Sequence, residues 1–307
     1  MFNKQIGINH LEQRLYIHWD ITTMCEYKCS YCYAMKEYDK NWMRPGNWEK
    51  QKRVIEEISK STLPVFLGLL GGEPTYHHKY WDLLYMIDEK ILSKHKDNRL
   101  YITTNGAKPT EFFEKHTINI DKIKFLWSFH PEYIDENAFD NFVKNIKLIT
   151  DKGYSSRVNI MLHPAKKYWE ITKRIINELK KIDVELHPHF IYSSPHETVK
   201  YSEDFYNDFK FILSMTKKEY IFFNNDKKEE YSDYEVFQNK INKFKGWNCL
   251  NNNYEINLNC DVNRFCVEQK HPIYDDYFKN INEIKPVICP HNFCSCDGLL
   301  KIKKEKI

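Results

Sequence analysis

The chain has 307 residues, which is enough for one barrel-sized core and a small appendage. Its 46 Lys and Arg nearly balance its 43 Asp and Glu, and the formal net charge of +3 lacks the dense positive charge typical of nucleic-acid binding. The sequence has neither a signal-peptide pattern nor a run of about twenty apolar residues. We therefore predict a soluble, cytoplasmic protein with no membrane partner, and find no support for a nucleic-acid partner.

Apolar runs alternate with amphipathic segments from about residue 14 to residue 217. The predicted strands are 14–21, 64–70, 99–103, 123–129, 157–162 and 184–191. The predicted helices lie near 48–60, 79–92, 110–116, 138–152, 168–181 and 203–217. This alternation predicts parallel strands joined by crossover helices, and six such units fit an α/β fold with a partial (β/α)6 barrel.

The composition changes after residue 217. A polar stretch rich in Asn and Lys is followed by a Cys-rich tail. We therefore predict two domains, the barrel at 1–217 and a small Cys-rich extension at 218–307. Within the tail, the Asn-rich segment between Cys249 and Cys260 predicts a hairpin of two short strands.

The nine cysteines fall into two groups, three between Cys25 and Cys32 and six between Cys249 and Cys296. Because the cytosol keeps thiols reduced, metal binding explains such groups better than disulfides do. In the first group, three residues separate Cys25 from Cys29 and two separate Cys29 from Cys32, directly after the first predicted strand. Four cysteines normally complete an iron–sulfur cluster, so a set of three leaves one iron with an open site. A zinc knuckle or three incidental thiols are the alternatives, but a structural zinc site needs four ligands.

This CxxxCxxC pattern, with Tyr31 before the third cysteine, resembles the signature of the radical SAM superfamily. The resemblance implies a catalytic 4Fe-4S cluster on Cys25, Cys29 and Cys32, with S-adenosylmethionine bound to the fourth iron. It implies that S-adenosylmethionine is cleaved to a 5′-deoxyadenosyl radical, which abstracts a hydrogen atom from the substrate. It also implies a reducing partner such as flavodoxin or ferredoxin, and places Tyr31 beside the adenine.

Two further segments resemble motifs of the same family. Gly71, Gly72, Glu73 and Pro74 follow the second predicted strand as a GGEP segment, which implies contact with the methionine ammonium group. Thr104 and Asn105, with Gly106, resemble the TNG segment near the S-adenosylmethionine site. Read alone, both segments would be ordinary turns.

Polar residues on the later strands are further candidates. By the same resemblance, Ser128, Arg157 and Asn159 contact the ribose and the methionine carboxylate, with plain strand polarity as the alternative. The motifs fall at the carboxyl ends of successive strands, where β/α barrels build active sites. Residues on the substrate side are expected to be His130, His163, His187, His189 and Tyr192, with Glu185 on the same strand face as His187 and His189. We expect these histidines to donate hydrogen bonds in the barrel rather than to bind a metal pair.

The tail cysteines resemble the auxiliary-cluster extensions called SPASM or twitch domains, although their spacing does not fit throughout. They are Cys249, Cys260, Cys266, Cys289, Cys294 and Cys296. The resemblance predicts at least one auxiliary 4Fe-4S cluster, and a second, incompletely ligated cluster or a zinc ribbon stays open.

Relatives with such tails modify peptides by crosslinking, epimerisation or oxidation, so we predict a peptide-modifying radical SAM enzyme. The first strand begins near residue 14, which leaves no room for a leader-recognition domain before it. This keeps a radical oxidoreductase or epimerase of a small metabolite or sugar as the alternative. A non-catalytic iron–sulfur or zinc module is the alternative of another class, and the GGEP and TNG segments argue against it.

Overall fold

The computed structural model describes residues 2–7, 11–32, 44–194, 197–214, 216–224, 227–294 and 300–307. The strands are β1 (Lys4–Gly7), β2 (Leu15–Thr22), β3 (Val65–Gly71), β4 (Arg99–Thr104), β5 (Ile123–Phe129), β6 (Ser155–Leu162), β7 (Glu185–Phe190), β8 (Tyr192–Ser194), β9 (Glu197–Thr198), β10 (Tyr220–Asn224), β11 (Lys227–Tyr231), β12 (Asn248–Cys249), β13 (Asn253–Ile256), β14 (Asp261–Arg264), β15 (His271–Pro272), β16 (Val287–Ile288) and β17 (Lys304–Glu305). The helices are α1 (Trp48–Ser59), α2 (Tyr80–Ile87), α3 (Thr110–Glu114), α4 (Glu136–Asp151), α5 (Trp169–Leu179), α6 (Glu203–Leu213) and α7 (Asp233–Gln238).

The larger sheet runs in the order β15-β14-β13-β2-β3-β4-β5-β6-β7. Strands β2 to β7 are parallel neighbours in chain order, with a helix after each strand from β2 to β7. The six predicted strands are therefore present, and their ends differ from the predicted ends by at most two residues. The chain thus has the mixed α/β fold that its hydrophobic pattern predicts.

Helix α4 shows why these segments are helical. Its buried residues Phe139, Phe142, Ile146 and Ile149 recur at intervals of three and four, which places them on one face. The Asp135 side chain accepts a hydrogen bond from Ala138 N and caps the first turn. Alternate residues of the strands are also buried, so helices cover one face of the sheet and leave the other for polar side chains.

The smaller sheet joins the two ends of the chain, in the order β11-β10-β1-β17-β12-β16. Strand β13 instead pairs in parallel with β2, and β14 and β15 extend the larger sheet beyond it. The chain after residue 217 therefore contributes strands to both sheets. Among the described residues, no helix combines the length and the apolar character that a membrane crossing requires.

The hairpin predicted between Cys249 and Cys260 is wrong in its pairing. Strand β12 joins the smaller sheet, whereas β13 turns at residues 257–260 and pairs with β14. The Asn-rich segment links the sheets because its amides satisfy buried carbonyl groups: Asn252 Nδ2 donates to Arg14 O (2.8 Å), and Asn251 Nδ2 donates to Phe265 O.

Candidate functional site

The loop that carries Cys25, Cys29 and Cys32 begins three residues after the end of β2. It is tied to the end of β3 by two backbone hydrogen bonds, from Gly72 N to Thr22 O (2.8 Å) and from Glu73 N to Met24 O (2.7 Å). The carboxyl ends of two neighbouring parallel strands thus meet at the cysteine loop. This is the edge of an α/β sheet at which active sites are built.

The approach of these two strands requires both glycines. Gly71 has φ of 125°, and a Cβ there would lie 2.0 Å from Thr22 O. A Cβ at Gly72 would lie 2.4 Å from Met24 O. Since both obstructing atoms are backbone atoms, any larger residue would force the cysteine loop away from the GGEP segment.

The side chain of Glu73 connects the GGEP segment to the end of β4 by hydrogen bonds. Its side chain is 1% exposed, and Oε1 accepts hydrogen bonds from Thr75 N (3.0 Å), Thr75 Oγ1 (2.6 Å) and Thr104 Oγ1 (2.9 Å). Its Oε2 accepts from Asn105 N (2.6 Å). Burial raises the pKa of Glu73 to about 7 despite these donors. The predicted residues Glu73, Thr104 and Asn105 are therefore in contact, and Pro74 is buried beside them.

Asn105 extends this network to the cysteine loop. Its Nδ2 donates to Glu26 Oε1 (2.7 Å) and lies 3.9 Å from Cys25 Sγ. Glu26 is a residue that sequence reasoning missed, although it stands inside the cysteine motif. The ends of β2, β3 and β4 thus bring a thiol, two carboxylates and an amide together.

The three thiols of the loop are free; Cys29 is buried, and Cys25 and Cys32 are partly buried. Burial raises the pKa of Cys25 and of Cys29 to about 12, and the charges of Cys29 and Cys32 interact with one another. None of the described cysteines forms a disulfide. Three neighbouring free thiols in a partly buried loop fit a metal cluster, because bound iron compensates the cost of burying their thiolates.

Among the residues that the structure describes, no group of three or more His, Cys, Asp or Glu closes around one ion. A 4Fe-4S cluster binds each thiolate through a different iron, so its ligands lie further apart than those of one zinc ion.

Residues after β5 hold the cysteine loop from the other side. His130 Nδ1 lies 3.0 Å from Tyr31 Oη and 3.5 Å from Cys29 Sγ, and its ring stacks on that of Tyr31. Burial lowers the pKa of His130 to about 4 and raises that of Tyr31. Glu132 accepts hydrogen bonds from Ser30 N (2.8 Å) and Ser30 Oγ (2.5 Å). The predicted residues His130 and Tyr31 therefore lie beside the cysteine loop.

Glu132 and Tyr133 were missed by sequence reasoning. Tyr133 Oη accepts a hydrogen bond from Lys28 N (2.8 Å), and Glu132 Oε1 lies 3.1 Å from His163 Nε2. Their position directly after His130, at the carboxyl end of a predicted strand, was the available signal. They link the cysteine loop to His163, which follows β6.

The candidate residues on β5 and β6 lie at two different positions along the strands. Ser128 pairs with Asn159, which pairs with His187 at the level nearer the cysteine loop. Arg157 lies closer to the start of its strand, and its Nη2 binds Glu185 Oε1 (2.7 Å) and Glu219 Oε1 (2.8 Å). The structure therefore brings Arg157 together with carboxylates and not with the GGEP and TNG segments.

The remaining substrate-side candidates lie at the end of β7. The ring centroids of His187 and His189 are 6.1 Å apart, and those of His189 and Tyr192 are 5.8 Å apart. His189 is also close enough to influence the charge of His130. A row of aromatic and imidazole rings therefore leads from the cysteine loop across the partly exposed face of the sheet.

The tail cysteines separate into two environments. Cys249, Cys289 and Cys294 are buried in the apolar cluster of the smaller sheet, and the charge of Cys266 interacts with those of Cys289 and Cys249. Burial raises the pKa of Cys266 to about 11. Cys260 is buried in the core of the larger sheet, and Cys296 lies outside the described residues. The structure thus brings Cys249, Cys266 and Cys289 near one another, places Cys294 in the same apolar cluster as Cys249 and Cys289, and separates Cys260 from them.

The family model of the Radical SAM superfamily matches residues 19–209. Two curated relatives are S-adenosylmethionine-dependent nucleotide dehydratases. The one from Fibrobacter sp. (strain UWH6) is 32% identical over 99 residues, 30% of this chain and 27% of the relative. The one from Selenomonas ruminantium is 29% identical over 118 residues, 35% of this chain and 39% of the relative. The matched part of this chain thus spans well under half of either relative.

Solved structures show a similar fold at low sequence identity. Streptococcus suis SuiB bound to S-adenosylmethionine is 14% identical with a TM-score of 0.53, over 90% of this chain and 67% of SuiB. Native anSMEcpe with bound AdoMet is 12% identical with a TM-score of 0.53, over 81% of this chain and 74% of that protein.

Proposed function

The chain belongs to the radical SAM superfamily, and from this premise we propose that it is an enzyme that modifies a peptide by hydrogen abstraction. Membership of the family implies a 4Fe-4S cluster and S-adenosylmethionine. The observation that carries the proposal is the meeting of the cysteine loop, Glu73 and Asn105 at the ends of three parallel strands. Such an arrangement holds a cluster and a small cationic ligand side by side.

We assign the cluster to Cys25, Cys29 and Cys32. A reduced 4Fe-4S cluster held by these three thiolates would supply the electron for cleavage of S-adenosylmethionine, and the 5′-deoxyadenosyl radical so formed would abstract a hydrogen atom from the substrate. Glu73 binds the methionine ammonium group, and the backbone of Gly71 and Gly72 brings that carboxylate to the loop. The electron that reduces the cluster comes from a reducing protein such as flavodoxin or ferredoxin.

Tyr31, Ser128 and Asn159 keep their expected roles toward the nucleoside and the methionine carboxylate. Tyr31 stands on the cysteine loop itself, and Ser128 and Asn159 share one level of the sheet. Arg157 is not included, because two carboxylates hold its guanidinium at the other end of β6.

We further propose one auxiliary 4Fe-4S cluster in the tail, within a SPASM- or twitch-like segment that begins near residue 218. The proposed ligands are Cys249, Cys266, Cys289 and Cys294: Cys266 interacts with Cys249 and Cys289, and Cys294 shares their apolar cluster. Four thiolates complete such a cluster. Cys260 is excluded because it is buried in the other core.

A peptide substrate is supported by the tail, since an auxiliary cluster removes an electron from a substrate radical or binds the substrate. The similar fold of anSMEcpe has been solved with AdoMet and a peptide, Cp18Cys. A small-molecule substrate is the second candidate, and the observation that favours it is sequence similarity to nucleotide dehydratases. The two candidates differ in the molecule that stimulates S-adenosylmethionine cleavage.

Iron and sulfide content with Mössbauer spectra after anaerobic reconstitution tests both clusters. We expect about eight irons in the unaltered protein and about four when Cys25, Cys29 and Cys32 are all replaced by Ala. Replacing the four tail ligands by Ala should likewise leave about four irons, now in the catalytic cluster. A Cys260→Ser variant is the matched control and should keep all of the iron. Zinc in the tail would contradict the auxiliary cluster but not the catalytic one.

Formation of 5′-deoxyadenosine by the reduced protein tests the activity. A panel of synthetic peptides should stimulate it, whereas nucleotides and sugars should not. Stimulation by nucleotides alone would move the assignment to the second candidate. No 5′-deoxyadenosine from fully reconstituted protein with any of these substrates would leave only an iron–sulfur binding module.

A further inference from the structure

Glu26 has one carboxylate oxygen that lacks a hydrogen-bond donor. Its Oε1 accepts from Asn105 Nδ2 at 2.7 Å. Its Oε2 is buried and has no hydrogen-bond partner among the described residues. A buried acceptor without a donor is costly, so a group that brings a donor to this position would be stabilised there.

The buried carboxylate of Glu73 shares Asn105 as a hydrogen-bond donor with Glu26. Asn105 bridges the two carboxylates by donating from its side chain to Glu26 and from its backbone to Glu73. Lys108 attracts Glu26 at longer range, while its Nζ stacks over the ring of Tyr76 at 3.6 Å. A group with several N–H donors bound beside Asn105 would therefore supply the donor that Glu26 Oε2 lacks.

We infer that Glu26 is a second carboxylate for the ammonium group of S-adenosylmethionine, which it binds together with Glu73. This inference rests on the proposed function. An ammonium group has three N–H donors, enough for both carboxylates at once. Glu73 Oε1 already accepts three hydrogen bonds, so Glu26 Oε2 is the acceptor with the larger unmet capacity.

The test is a Glu26→Gln variant, which keeps the shape of the side chain and an oxygen for Asn105. Binding is measured by anaerobic calorimetry on the reconstituted protein. We expect S-adenosylmethionine to bind roughly ten- to a hundred-fold more weakly, the range for one charge-assisted hydrogen bond. Iron content should stay at the wild-type level. A Glu26→Asp variant, which keeps the charge, should lose less affinity than Glu26→Gln.

A second ligand separates recognition of the ammonium group from damage to the pocket. 5′-Methylthioadenosine keeps the nucleoside but has no ammonium group, so its affinity should be the same in the wild type and in Glu26→Gln. Glu49 is exposed, so Glu49→Gln is the matched control. It should change neither the affinity for S-adenosylmethionine nor that for 5′-methylthioadenosine. Unchanged S-adenosylmethionine affinity in Glu26→Gln, or equal weakening of both ligands, would overturn the inference. If the wild type itself bound no S-adenosylmethionine, the proposed function would fail first.

Discussion

Replacing Glu185 by Gln tests how the amino ends of β5, β6 and β7 are held together. Glu185 binds Arg157 Nη2 at 2.7 Å, Lys124 Nζ at 3.1 Å and Lys217 Nζ at 3.3 Å. Glu219 continues the network from Arg157 to Lys301. One carboxylate thus joins three elements by charge-assisted hydrogen bonds.

The expected loss of stability in Glu185→Gln follows from how exposed the paired side chains are. Arg157, Glu185 and Lys124 are 12%, 18% and 31% exposed, so water screens these two contacts only in part. Lys217 is 65% exposed, and its ion pair adds little to stability. Each charge-assisted hydrogen bond contributes about 1.5–3 kcal/mol, and because Gln keeps one acceptor oxygen we expect a loss of about 2–3 kcal/mol.

The loss should depend on pH in a defined direction. Burial alone would raise the pKa of Glu185, but the hydrogen bonds and charges of Arg157 and Lys124 hold it well below its ordinary value of 4.5. A folded pKa below the unfolded one contributes stability above the unfolded pKa, and that stability is lost as the pH falls toward the folded pKa. The difference between the wild type and Glu185→Gln should therefore be complete at neutral pH and shrink below pH 4.5.

Thermal unfolding of the anaerobic, reconstituted protein measures this difference. We expect the Tm of Glu185→Gln to fall by roughly 4–8 °C at neutral pH. Glu170→Gln is the matched control, since the Glu170 side chain is 87% exposed and pairs only at the surface with Lys173, and its Tm should move by less than about 1 °C. A Glu185→Gln shift no larger than the control, or one that grows on acidification, would refute this account of the network.

Three further substitutions test the site. Glu73→Gln should weaken S-adenosylmethionine binding by about tenfold or more at unchanged iron content, and unchanged affinity in calorimetry would remove Glu73 from the ligand site. Gly72→Ala should reduce iron incorporation, because its Cβ would lie 2.4 Å from Met24 O, and wild-type iron content would contradict that steric argument. Arg157→Gln should lower the Tm yet leave S-adenosylmethionine affinity unchanged, whereas a tenfold loss of affinity would restore the ligand role that the sequence suggests.

The sequence by itself determined the parallel part of the fold. Strands β2 to β7 were predictable because a buried parallel strand needs a short apolar run and a covering helix needs apolar residues at intervals of three and four. The same pattern placed the cysteine loop, Glu73 and Asn105 at the carboxyl ends of strands. Their contacts agree with that prediction because neighbouring parallel strands end at one edge.

Only the tertiary structure decided the partners of side chains that contact distant segments of the chain. Arg157 has the same local pattern as Asn159, and only the packing of β7 and of the segment beyond it brings the carboxylates of Glu185 and Glu219 to its guanidinium. Glu26 carries no pattern of its own, and its place in the site is visible only because the end of β4 brings Asn105 to its Oε1 and leaves Oε2 without a donor among the described residues.

The strand pairing and the cysteine positions of the tail depended even more on contacts between distant segments. No local pattern could place β13 against β2, because its short strands carry too few apolar residues to define a partner. The division of Cys260 from Cys249, Cys266 and Cys289 follows from that pairing. Hydrophobic periodicity is a local property that the chain carries in its sequence, whereas the partner of a charge or a thiol is fixed only when separate elements pack together.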